Sequence, residues 1–87
     1  MKNMVIGSYD VNVIASKLES YRETSEYKVE KDTLIDQTMS CDPDESIAYL
    51  RGCMMKAFFS GNGTRNDELR VQFLAAYDLI KSIEQSR

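Results

Sequence analysis

Two helix-forming segments in the second half of the chain constrain the fold more than any other feature of the sequence. The first begins at Asp42-Pro43-Asp44-Glu45. Asp42 suits the N-cap, Pro43 the first helical position, and the two acids that follow suit the positive end of the helix dipole. The glycines of Gly61-Asn62-Gly63 stop the pattern. The sequence therefore predicts a helix over about 43–60.

This first helix has two apolar stripes, about 100° apart on a helical wheel. The first stripe contains Ile47, Leu50, Met54, Ala57 and Phe58, and the second, which surrounds Gly52, contains Ala48, Met55 and Phe59. A helix that is apolar over this much of its circumference is expected to lie at the centre of its fold or to bury the second stripe against another chain. For the second case we predict a homodimer and a set of partner-binding residues, namely Ala48, Tyr49, Met55 and Phe59.

The second segment predicts a helix over about 67–85. Its apolar residues recur at spacings of three and four, and Asn66 or Thr64 is in position to cap it. Two helices joined by a short loop that contains glycine are expected to pack as an antiparallel hairpin. We therefore predict a mostly α fold for residues 1–87, as one small domain built on this C-terminal hairpin.

The first forty residues leave alternatives open. Alternation at Tyr9, Val11 and Val13 fits a short strand, whereas a helix over about 11–23, capped by Asp10, fits the same segment and is preferred. Residues 26–30 are compatible with a strand, and residues 34–39 with a further short helix. The N-terminal part is therefore predicted as a helix or as short strands.

The residue types present exclude most common catalytic sites. The chain contains no histidine, which removes Ser-His-Asp triads, Cys-His nucleophiles and zinc sites with a histidine ligand. Two cysteines cannot supply a four-cysteine zinc site. Cys41 lies before the predicted helix and Cys53 about three turns along it, roughly 15 Å away, so we expect no disulfide between them. We predict a protein that is not an enzyme and has neither a metal nor a cofactor.

Charge is concentrated in the middle of the chain. Between Glu19 and Glu45 there are nine acidic side chains and three basic ones, while the whole chain has a net charge of −3. Such a segment repels nucleic-acid phosphates and favours a basic protein surface. There is no apolar run long enough for a membrane span and no signal peptide, so we expect a cytoplasmic protein without a membrane partner.

These features favour a small protein-binding module, such as an adaptor, inhibitor or regulator, that acts by stoichiometric contact with a protein partner or with itself. Small size, acidity and the absence of catalytic groups are typical of bacterial or phage accessory proteins of this kind. One alternative is a dimeric nucleic-acid-binding transcriptional regulator, whose phosphate contacts would come from Arg65, Arg70, Lys81 and Arg87. A second alternative is a binder of small anions at the loop 61–65, through Gly63, Thr64 and Arg65.

Overall fold

The computed structural model describes residues 5–6, 9–60 and 66–86 and shows a mostly α protein. Two short antiparallel strands come first, β1 (Val5–Ile6) and β2 (Tyr9–Asp10). A short helix α1 (Val11–Lys17) and a 3-10 helix (Glu19–Glu23) follow. The three longer helices are α2 (Ser25–Thr38), α3 (Pro43–Ser60) and α4 (Asp67–Gln85).

The C-terminal hairpin is confirmed, and both of its helices have the predicted bounds. At the start of α3 the side chain of Asp42 accepts a hydrogen bond from the Glu45 backbone N–H at 2.8 Å. The Glu45 carboxylate accepts one in return from the Asp42 N–H at 3.4 Å, which completes a capping box. The side chain of Asn66 caps α4 by accepting from the Glu68 N–H at 2.8 Å. Local capping chemistry therefore sets the start of both helices.

The central helix of the fold is α4, not α3 as the sequence suggested. Five consecutive α4 residues, Phe73 to Tyr77, are buried, which is more than one full turn of the helix. They face α3 on one side and α2, α1 and the 3-10 helix on the others. In α3 only the first apolar stripe is buried in this core, through Leu50, Met54, Ala57 and Phe58. The second stripe of α3 is left outside the core.

The preferred helix over 11–23 is interrupted. Helix α1 begins at Val11, and Asp10 caps it as predicted by accepting from the Asn12 N–H at 2.9 Å. It ends at Lys17, and the chain tightens into the 3-10 helix, from which Tyr21 and the following arginine reach α4. The strand suggested through Val11 and Val13 was wrong, because strand pairing in this part of the chain stops at β2. Long-range contacts with α4 explain the break better than local propensity does.

The strand suggested for residues 26–30 was also wrong. Those residues and the short helix suggested for 34–39 belong to one helix, α2, which is capped by the Thr24 hydroxyl. Only Tyr27 and Leu34 of α2 are buried, whereas Val29 is 65% exposed. Such a narrow apolar face gives a weak helical pattern in the sequence, so the segment resembled a strand.

The capping box at the start of α3 gives a direct test of this helix boundary. We expect Asp42→Ala to lower the free energy of unfolding by about 1 kcal/mol, because the Glu45 N–H loses its acceptor. Urea unfolding followed by circular dichroism measures the change. Asp42→Asn keeps a side-chain acceptor and should stay close to wild type. Equal losses for both variants would show that the cap is not the source of the stability.

Candidate functional site

The second apolar stripe of α3 lies on the surface of the protein and is the candidate functional site. All of its residues are exposed, including Met55 at 40% and Phe59 at 62%. The reason is geometric, because burying the first stripe against α4 turns the second one, which lies on a different side of the helix, towards solvent. We define the outer α3 face as Ala48, Tyr49, Gly52, Met55 and Phe59. It includes every partner-binding residue predicted from the sequence.

The ring of Phe59 packs against a cluster of aromatic rings. Its ring meets that of Phe58 edge-on, with the centroids 5.4 Å apart. Phe58 is buried, and its ring centroid lies 6.2 Å from that of Phe73 in α4 and 5.3 Å from that of Tyr9. These contacts restrain the exposed ring without covering it. An aromatic side chain held in this way loses little conformational entropy when it binds, which suits it to anchor an interface.

Gly52 lies at the middle of the outer α3 face. A methyl group built at this position would meet no atom within 4 Å, so packing inside the chain does not require a glycine there. Glycine in the interior of a helix costs about 1 kcal/mol relative to alanine. What it provides is bare backbone, which another chain can approach closely. In the sequence pattern this residue is visible only as a gap in the second stripe.

Tyr49 forms the edge of the face on the side of α2. Its hydroxyl donates a hydrogen bond to the side-chain oxygen of Gln37 at 2.6 Å, and 43% of the residue remains exposed. Partial burial and the thiol of the neighbouring Cys53 raise the pKa of the Tyr49 hydroxyl. The phenol is therefore neutral at physiological pH, and its ring offers an amphipathic rim to the face.

Part of the acidic middle of the chain lines a second surface feature. A groove of about 720 Å³ runs between α2 and the start of α4. Tyr21, Val29 and Val71 contribute apolar surface to it, and the carboxylates that line it belong to Glu26, Glu30, Asp67 and Glu68. Arg70 offsets the charge of Asp67 through an ion pair of 2.6 Å. The acidic segment thus forms one wall of an open groove.

A polar cluster at the centre of α4 is structural. The Asp78 carboxylate accepts two hydrogen bonds from the guanidinium of Arg22, at 2.7 and 2.9 Å, and one from the Tyr27 hydroxyl at 2.5 Å. Burial, and then the hydrogen bond to Asp78, raise the pKa of Tyr27 above its ordinary value. The cluster ties the 3-10 helix and α2 to α4. Every group in it already has a partner, so it offers no free group for chemistry.

The structure describes only some of the residues that were predicted for the two alternative functions. Gly63, Thr64 and Arg65, the predicted anion site, lie outside the described residues, as does Arg87. Arg70 is held by Asp67 and by the Tyr21 hydroxyl, while Lys81 is exposed on α4. The described residues therefore bring no two of the four proposed phosphate-binding cations together in a basic patch.

The described segments contain no cluster of metal-ligand side chains and no disulfide. Within residues 5–6, 9–60 and 66–86 there is no group of three or more acidic or cysteine side chains placed to hold a metal ion. Cys41 and Cys53 are both free thiols and are partly exposed. Across the same segments, no helix combines the length and the apolar character that crossing a membrane requires.

No protein-family model, curated protein or solved structure matches this chain. The function is therefore inferred from the surface of the protein itself, and the outer α3 face is the feature that supports it.

Proposed function

We propose that the protein is a non-enzymatic protein-binding module, an adaptor, inhibitor or regulator that holds a protein partner on the outer α3 face. The observation that carries the proposal is the exposure of Phe59 and Met55 on neighbouring turns of one well-packed helix. Aromatic and methionine side chains are enriched at protein interfaces, and each buries a large area when it is covered. Ala48 and Gly52 are small, so a partner helix or strand can lie flat between the larger side chains.

Other exposed apolar residues are weaker candidates for a binding site than those of the outer α3 face. Val29 and Ile35 on α2, and Met39 directly after it, are exposed, but no exposed aromatic side chain of α2 accompanies them. A single exposed aliphatic residue is ordinary on a protein surface and carries little binding energy. The outer α3 face differs because it combines an anchored aromatic ring, a methionine and accessible backbone.

A charge substitution in the outer α3 face tests the proposal. We expect Phe59→Asp to weaken partner binding by about 30-fold or more, because removal of an aromatic anchor typically costs about 2 kcal/mol or more. The measurements are the self-association constant from sedimentation and the recovery of partners by the tagged protein from its own cells. Circular dichroism checks that the helices are retained.

Val29→Asp is the matched control, since Val29 is 65% exposed and Phe59 is 62% exposed. This control should bind as the wild type does. If both variants lose binding equally, or if neither changes self-association or partner recovery, the outer α3 face is not the binding site.

A further inference from the structure

The exposed residues of α3 are arranged so that the face is complementary to itself. With 100° per residue and Gly52 as the origin, Glu45, Lys56 and Tyr49 lie at about 20°, 40° and 60° on the side of α2. Phe59, Ala48 and Met55 lie at about 20°, 40° and 60° on the other side. One flank of the face therefore carries an acid near the start of the helix and a base near its end. The other flank is apolar.

Two such helices can be related by a twofold axis that passes beside Gly52. This rotation reverses the helix direction and keeps each flank on its own side, so residues before Gly52 meet residues after it. With a rise of 1.5 Å per residue, Glu45 comes within about 5 Å along the axis of Lys56 in the second copy. Both side chains are exposed and long enough to pair across that distance. The symmetry makes this pair twice.

The apolar flank fits the same arrangement. Met55 of one copy comes within about 2 Å along the axis of Ala48 in the other, so the longest apolar side chain of the flank faces the smallest. At the crossing point the two Gly52 backbones meet with no side chain between them, which allows a close helix–helix approach. A parallel twofold pair would instead turn the charged flank of each copy towards the apolar flank of the other, so neither Glu45 nor Lys56 would meet an opposite charge.

We propose that the partner of the outer α3 face is a second copy of this chain, packed antiparallel across α3 with its twofold axis at Gly52. This inference rests on the proposed function and names the partner. Two observations point to self-association. One is the acid and the base on the same flank, which an antiparallel twofold partner pairs twice. The other is a glycine that packing within the chain does not require.

Charge reversal tests the geometry. Wild type should sediment with about twice the mass of the 10.0 kDa chain at micromolar concentration and low ionic strength. Glu45→Lys and Lys56→Glu, each alone, place like charges opposite one another at two points, and each should weaken self-association by about tenfold or more. An equimolar mixture of the two variants makes both pairs attractive again. The mixture should therefore form a heterodimer with an affinity near that of the wild type.

Gly52→Leu provides a second variant that does not touch the capping box of Glu45. Leucine is a better helix former than glycine, so the monomer should melt at a higher temperature while the dimer is lost. A dimer that survives this substitution, or a mixture of the charge variants that stays monomeric, would overturn the antiparallel arrangement.

A wild-type protein that stays monomeric throughout would overturn self-association altogether. The proposed function would then be decided separately by whether Phe59→Asp, but not Val29→Asp, loses a foreign partner. The two proposals can therefore fail independently of each other.

Discussion

Phe73→Ala is expected to destabilise the protein by about 3–5 kcal/mol, the largest effect of any single truncation considered for this chain. Phe73 is fully buried in α4, and its ring lies against that of Phe58 in α3. Its removal leaves a cavity at the contact between the two helices of the hairpin. In a domain of this size the melting temperature should fall by roughly 15 °C or more. Leu50→Ala, at a fully buried position of α3, should also be severe, at about 2–5 kcal/mol.

Phe59→Ala is the matched control, because it removes the same side chain from an exposed position. We expect its melting temperature in the monomer to change little, since it gives up little buried area. Differential scanning calorimetry of dilute protein compares the two variants. Similar losses for Phe73→Ala and Phe59→Ala would show that the buried and exposed faces have been assigned wrongly.

Asp78→Ala is expected to lower the free energy of unfolding by about 2–3 kcal/mol. The substitution removes the acceptor of both Arg22 hydrogen bonds and of the Tyr27 hydroxyl, and Tyr27 is only 6% exposed. A buried donor without an acceptor costs about 1–3 kcal/mol. The Arg22 side chain is 37% exposed and recovers part of its loss by hydration, which keeps the total below that of a fully buried ion pair. Chemical denaturation measures the change.

Two further variants serve as controls, one within this cluster and one at a separate, exposed ion pair. Asp78→Asn keeps an acceptor oxygen and should recover part of the lost stability. Asp67→Ala breaks the ion pair with Arg70, in which the Asp67 side chain is 76% exposed, and should cost far less stability than Asp78→Ala. If Asp67→Ala is as damaging as Asp78→Ala, the central cluster has no special role in holding the fold.

The hairpin could be predicted from the sequence because its information is local. Asp42, Pro43 and Asn66 mark the helix starts by chemistry that acts within one turn, and the apolar spacing of α4 is regular. Helix α2 could not be predicted in the same way. Only one tyrosine and one leucine of α2 are buried, and their spacing is explained by the packing of α2 against α4, which is distant in sequence.

The sequence could predict which residues form the candidate site but not how they are arranged on the surface. Two apolar stripes on one helix indicated that Met55 and Phe59 would be either core or interface, and the structure shows them exposed. The position of Gly52 between an acid and a base on one flank acquires significance only when that flank is known to face solvent. The acidic groove depends on the approach of α2 and α4, which the local sequence pattern does not encode.

The enclosure of α4 determines where this sequence can change. Five successive buried positions leave Ala75 and Ala76 no room for larger side chains and leave Phe73 no smaller substitute, so drift along this helix is tightly restricted. The outer α3 face contributes no side chain to that core, so its residues can be substituted without repacking the core. New binding specificities can therefore be selected or engineered on α3 while α4 stays the same.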